Sequence, residues 1–140
     1  AKVRLIQDGD IAGVIHTTEK STGIDMYMGI GGAPEGVLAA AALRCIGGQM
    51  QTKLVLEDQE KKDRAARLGI TDLDKIYDLD DMVTGDALFA ATGVTNGSIL
   101  SGIEINTGIW THTIVMRSSS KTIRWITAHH QNIDKFNSQD

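Results

Sequence analysis

The sequence predicts an α/β domain: a mixed sheet with flanking helices and a C-terminal β-hairpin. Three observations carry that reading. Apolar runs of strand length alternate with segments whose apolar residues recur at helical spacing. Glycine-rich polar turns punctuate the alternation. The last third turns β-rich, with two such runs joined by Ser118-Ser119-Ser120-Lys121.

Taken in order, residues 3–6 read as a short strand. Asp8-Gly9-Asp10 then forms a turn, with Asp10 a candidate N-cap for a short helix carrying Ile11, Val14 and Ile15 on one side. Residues 24–30 read as a second strand that ends in glycines. Pro34, the single proline, suits a first helical turn, where its missing N–H would have had no intrahelical acceptor. A helix is therefore predicted from about residue 34 to 46, with Val37, Leu38, Ala41, Ala42 and Cys45 on one face and Gly47-Gly48 ending it. Residues 51–56 read as a third strand. A charged helix follows over 57–68, with Glu57/Lys61, Glu60/Arg64 and Asp63/Arg67 as opposite charges four apart. A short strand from Ile76 and a helical turn over 80–83 come next. Residues 87–91 form a continuous apolar run, as expected of a strand covered on both faces. Residues 110–117 and 122–127 make the hairpin, and the polar tail after Asn132 is expected to fray.

Composition narrows the function classes. The chain has 140 residues, 41% hydrophobic and 23% charged, with a formal net charge of −4. That suits one globular domain with a substantial core. No Lys/Arg run offers an electrostatic grip on nucleic acid, and no apolar run is long enough to span a bilayer. A single cysteine, Cys45, excludes an intrachain disulfide and fits a reducing compartment. A cytoplasmic setting is the expectation. The chain opens Ala1-Lys2-Val3 without Met, which reads as a cut through a larger protein.

Three segments share one design, a strand followed by a tight glycine-bearing turn: Asp8-Gly9-Asp10, residues 29–36 and residues 92–97. In open α/β sheets ligands sit beyond the carboxyl ends of strands, so parallel neighbours would bring the three turns together. The middle turn, Gly31-Gly32-Ala33-Pro34-Glu35-Gly36, has the sharpest physics. Its glycines let the backbone approach a ligand, and the helix that follows presents free N–H groups to an anion. Two nucleotide motifs do not fit it. Pro34 occupies the third glycine of a G-x-G-x-x-G, and Val37 stands where a P-loop needs lysine. Two readings of Glu35 stay open: a helix-start glutamate favoured by the dipole, or a hard-metal ligand beside a phosphate cradle. Asp8 and Asp10 flank Gly9 and read either as a turn with a cap or as acceptors for the hydroxyls of a polyol.

The remaining candidates have plainer readings. His16, His112, His129 and His130 lack metal-motif spacing, and in a strand the adjacent pair points to opposite faces. Cys45 reads as core. Arg117 and Ser118 could meet an anion, with a solvated hairpin turn the plainer expectation. Trp110 and Trp125 are candidates to pair across the hairpin, or simply core.

Taken together, Asp8-Gly9-Asp10, Met28-Gly29-Ile30-Gly31-Gly32-Ala33-Pro34-Glu35-Gly36-Val37, Ala90-Ala91-Thr92-Gly93-Val94-Thr95, Thr111-His112 and Val115-Met116-Arg117-Ser118 resemble class II fructose-1,6-bisphosphatase. The resemblance runs nearly end to end but covers only the C-terminal part of the family's chain. It implies that residues 1–140 are a C-terminal sugar-phosphatase domain without the N-terminal catalytic half, in the layered α/β fold of the lithium-sensitive sugar phosphatases. It implies metal-dependent hydrolysis, with Mn²⁺ or Mg²⁺, of the 1-phosphate of fructose 1,6-bisphosphate to fructose 6-phosphate in gluconeogenesis. A bifunctional fructose/sedoheptulose bisphosphatase and an inactive binding or assembly piece are the alternatives. By the same resemblance Glu35 is the metal ligand, Asp8, Gly9 and Asp10 bind the sugar, and Gly32 gives a backbone contact to substrate. No catalytic residue is assigned within the chain. The expected partners are a sugar bisphosphate and, in a homo-oligomer, the N-terminal half of the same protein; nucleic acid and membrane are not expected. Two departures stand out. Asn96 replaces an expected Asp, which bears on how the loop after Thr95 is held. Ser119-Ser120-Lys121 replaces a basic-Ser-Gly turn, which could alter an anion contact.

Overall fold

The computed structural model describes residues 1–6 and 10–132, without the side chain of Asp10. In chain order its elements are α1 (Asp10–His16), a 3-10 turn (Lys20–Thr22), α2 (Ala33–Ile46), β1 (Gln51–Lys53), α3 (Gln59–Arg67), β2 (Ile76–Asp78), α4 (Leu79–Met82), β3 (Leu88–Thr92), β4 (Glu104–Ile105), β5 (Ile109–Arg117) and β6 (Thr122–His130).

The hairpin is the backbone of the sheet. β5 and β6 pair antiparallel from Ile109 opposite His130 to Arg117 opposite Thr122. On its other edge β5 pairs with β3, Leu88 opposite Arg117, and with the short β4. β1 and β2 form a separate two-stranded ladder. The α/β class, the flanking helices and the C-terminal hairpin match the sequence reading. The parallel neighbours do not: every pairing among the described residues is antiparallel.

The core is one face of this sheet closed by two helices. Phe89, Ile114 and Met116 meet Ile15 of α1 and Ala42 and Cys45 of α2. Alanines 39, 40 and 42 let α2 lie close; of the face read from the sequence Ala42 and Cys45 are buried, whereas Val37 and Leu38 are exposed. Leu43, Ile114 and Met116 are fully buried, each stabilising the fold by about 1.5–3 kcal/mol. The opposite face exposes Leu88 and Ile126. The apolar run at 87–91 is therefore covered on one face only.

Local signals set the helix ends. Gly47, at φ +93°, lets α2 stop in the left-handed region, and its N–H donates to the Leu43 carbonyl at 2.7 Å. Asp58 caps α3 by accepting from the Lys61 N–H at 2.7 Å. Of the three charge pairs read on this helix, Glu57 and Lys61 meet at 3.5 Å, whereas Asp63 accepts from Gln59 Nε2 at 2.8 Å. Asp78 and Asp81 form a reciprocal capping box around α4.

Three strand expectations are corrected. Residues 3–6 and 24–30 form no strand, and the third strand stops at Lys53. A strand needs a neighbour to satisfy its backbone, and the first two segments have none among the described residues.

Candidate functional site

The glycine-rich turn and the start of α2 fold as the sequence predicted. Gly32 is the N-cap, at φ −69° and ψ 153°, Pro34 lies in the first turn, and the Gly36 N–H closes that turn on the Gly32 carbonyl at 3.0 Å. The side chain of Glu35 doubles back across this start. A Cβ built on Gly32 would collide with Glu35 Oε2, so glycine is what allows the carboxylate to lie there. The loop is open to solvent from residue 31 to 35. No ion pair to Glu35 occurs among the described residues. The site is thus an exposed carboxylate over the positive end of a 14-residue helix.

The other half of the arrangement comes from how α1 meets α2. Val14 packs with Ala39 and Leu43, and farther along the Thr18 methyl lies 3.3 Å from where a Cβ on Gly48 would stand. The contacts advance in the same sense along both helices. The two helices therefore run side by side in one direction, and their starts, at Asp10 and at Ala33, lie at the same end. Val14 is four residues from Asp10, and Ala39 is four from Glu35, about 6 Å of rise in each case. Asp10 is the first residue of α1 rather than its cap. Asp8 and Gly9 fall outside the described residues, as does the side chain of Asp10.

The third turn stands on a separate element, beyond β3. It folds upon itself: the Gly97 N–H donates to Leu100, Ile103 N–H to Val94, and Gly102 N–H to Asn96 Oδ1 at 2.8 Å. Asn96 thus holds this loop by an oxygen that aspartate also carries. The meeting of three turns beyond parallel strands is replaced by two helix starts at one end of a packed pair.

The plainer candidates resolve clearly. Cys45 is buried in the core, and burial pushes its thiol up more than the Phe89 backbone and the charge of Lys121 pull it down. Ser118 is buried, not solvated: its Oγ accepts from the Ala87 N–H at 2.7 Å, while Lys121 Nζ donates to the Arg44 carbonyl at 2.8 Å. That turn is bonded into the fold and reaches the far end of α2. Trp110 does not meet Trp125; it stacks on His129 with ring centroids 4.0 Å apart. His130 turns to the other face, beside Thr111 Oγ1 at 3.0 Å. Among the described residues no three His, Cys, Asp or Glu side chains gather as a metal site. No helix there is long and apolar enough to cross a membrane. A cavity of about 420 Å³, lined by Arg44, Gly47, Gly85, Asp86, Ser118 and Lys121 among others, sits at the C-terminal end of α2, opposite Glu35.

What sequence reasoning missed is that Gly32 and Glu35 act on each other. The signal was available in their spacing, N-cap to third helical position, at which a side chain reaches back to the cap.

An open helix start offers unpaired N–H groups to an anion, and here a carboxylate lies over it. The comparison with known proteins narrows this. The chain belongs to the family described as bacterial fructose-1,6-bisphosphatase, glpX-encoded, whose model matches residues 1–130. Two relatives are each named D-fructose 1,6-bisphosphatase class 2/sedoheptulose 1,7-bisphosphatase. The one from Synechococcus sp. (strain JA-3-3Ab) is 38% identical and the one from Synechocystis sp. 37% identical, both over 93% of this chain. The chain spans 42% of the length of each, in a C-terminal part.

Proposed function

We propose that this chain supplies one wall of a metal-dependent phosphatase site for sugar bisphosphates, one that converts fructose 1,6-bisphosphate to fructose 6-phosphate, the phosphatase step of gluconeogenesis. The observation that carries the reading is the Glu35 carboxylate lying over Gly32 at the open start of α2. The setting is cytoplasmic.

The residues fit one edge of a metal site. Gly32 lacks the Cβ that would push Glu35 away, and one carboxylate with phosphate oxygens is a sufficient protein contribution for Mg²⁺ or Mn²⁺ at such an edge. When bound, the metal neutralises the phosphate and lowers the pKa of a coordinated water. The chain's own residues do the rest of this wall's work. Glu35 would hold the metal. The Gly32 backbone and the first turn of α2 donate N–H groups where phosphate charge sits. Asp8 and Asp10, with Gly9 between them, would accept hydrogen bonds from sugar hydroxyls, which disfavours a substrate lacking them.

Sedoheptulose 1,7-bisphosphate is a second substrate on this reading, because both relatives carry it in their names. The deciding assay is phosphate release from each bisphosphate with Mn²⁺. It compares the chain alone with the chain joined behind the stretch that precedes the matched part of the Synechococcus relative. The joined chain is expected to turn over and the chain alone to be inactive. Metal-dependent turnover by the pure chain alone would contradict the one-wall reading.

A further inference from the structure

One side chain in the segment that leads into the glycine-rich turn is held while its neighbours are not. Tyr27 is half-buried, whereas Met26, Met28 and Ile30 are between 73% and 84% exposed. One edge of the Tyr27 ring lies against Gly13, which is buried in α1: a Cβ there would come within 2.9 Å of both Cδ2 and Cε2. The other side of the ring lies against Gly29, where a Cβ would stand 3.0 Å from Cζ and 2.5 Å from Oη. Neither glycine has a positive φ, so backbone conformation does not call for glycine at either place. Room for the ring does. Gly13 gives it inside a helix, where glycine is less favourable than alanine. The ring also packs on Val14, Ala39 and Leu43, the contact that joins α1 to α2.

We propose that Tyr27 is a positioning residue whose ring sets the distance between the sugar-binding turn and the phosphate-binding turn, and so selects for the sugar; this rests on the phosphatase reading above. Gly13 stands three residues beyond Asp10, the first residue of α1, and Gly29 stands three residues before Gly32, the N-cap of α2. The ring is the spacer between the segment that carries the hydroxyl acceptors and the segment that carries the Glu35 carboxylate and the backbone donors. An aromatic ring has only two side-chain torsions and fixes a separation at low entropic cost. A sugar phosphate must meet both turns at once, and a misplacement of about 1 Å can cost about a hundredfold. Inorganic phosphate meets the phosphate turn alone. The ring therefore matters for the sugar phosphate and not for the free anion.

Calorimetry on the joined chain with Mn²⁺ tests it, with fructose 6-phosphate and inorganic phosphate as probes. Tyr27→Leu should weaken fructose 6-phosphate by about tenfold or more and inorganic phosphate by less than about twofold. Tyr27→Phe keeps the ring and should retain the parent affinity for both. Gly13→Ala leaves Tyr27 in place but crowds the ring from the α1 side, and should shift the ratio of the two affinities in the same direction as Tyr27→Leu. The kcat/KM for fructose 1,6-bisphosphate should follow the fructose 6-phosphate affinity across the set. Equal weakening of both probes in Tyr27→Leu and Gly13→Ala overturns the inference, because a merely structural ring would act on the whole site. Unchanged fructose 6-phosphate affinity in those variants overturns it as well, and so does a Tyr27→Phe protein that behaves as Tyr27→Leu. Each of these leaves the phosphatase reading standing if the parent turns over. A parent that releases no phosphate from fructose 1,6-bisphosphate refutes that reading, and the inference with it.

Discussion

The carboxylate of Glu35 lies over the α-carbon of Gly32, in space that any other residue's Cβ would occupy. This gives the glycine a role that backbone freedom does not. At φ −69° and ψ 153° position 32 is open to every residue. Gly32→Ala should therefore fold, at a cost of no more than about 1 kcal/mol for a poorer N-cap. In the joined chain it should nevertheless lower phosphate release at least tenfold, by swinging Glu35 away while leaving the backbone N–H in place. Turnover assays alongside urea unfolding separate the two effects. Wild-type turnover in a folded Gly32→Ala protein would remove the link between the residues.

The loop after β3 gives a contrasting pair. A Cβ on Gly93 would collide with the Ser101 carbonyl, a backbone atom that cannot swing aside. Gly93→Ala should destabilise the chain by about 1–3 kcal/mol, as overpacking does. Asn96→Asp should change stability by less than about 0.5 kcal/mol, since a carboxylate also accepts from the Gly102 N–H. Urea midpoints of the two variants check both numbers.

Cys45 makes stability depend on pH in a calculable direction. Burial raises its thiol in the folded chain above the unfolded value of about 8.5. Between those two values the folded state holds a proton that the unfolded state has released. This contribution is therefore complete below about pH 8.5 and is lost as pH rises through the folded value. Urea unfolding from pH 7 to 10 should fall more steeply for the wild type than for Cys45→Ala. Parallel curves would mean that the thiol does not titrate differently in the two states. In the folded chain at pH 7, Cys45 should also resist thiol reagents that label it readily in urea.

Elements specified by their own residues were legible. Pro34 and Gly47 mark α2, the opposite charges four apart mark α3, and the contiguous pattern from Trp110 to Thr127 marks the hairpin. The sequence could not say whether residues 24–30 would find a partner, because an apolar alternation states what a strand would bury and not what it pairs with. The tryptophans failed for a different reason. Register places Trp110 opposite His129 and Trp125 opposite Ile114, on the same face but four residues apart, about 13 Å along the strand. Only the turn length fixes that offset. At the site, Gly32 and Glu35 were legible as single residues from the loop's chemistry and the family's motif. Their contact, and the shared direction of α1 and α2 that brings the start of α1 to the same end, arise from packing between segments distant in sequence.

On the proposed function, Glu35 holds a metal against a phosphate at the start of α2. The most direct measurement is phosphate release from fructose 1,6-bisphosphate by the joined chain carrying Glu35→Gln, across a range of Mn²⁺ concentrations. Glutamine keeps the size of the side chain and removes its charge. Turnover is expected to fall at least a hundredfold below the parent at ordinary Mn²⁺, with partial recovery as the metal is raised. Parent-like turnover at every metal concentration would contradict it.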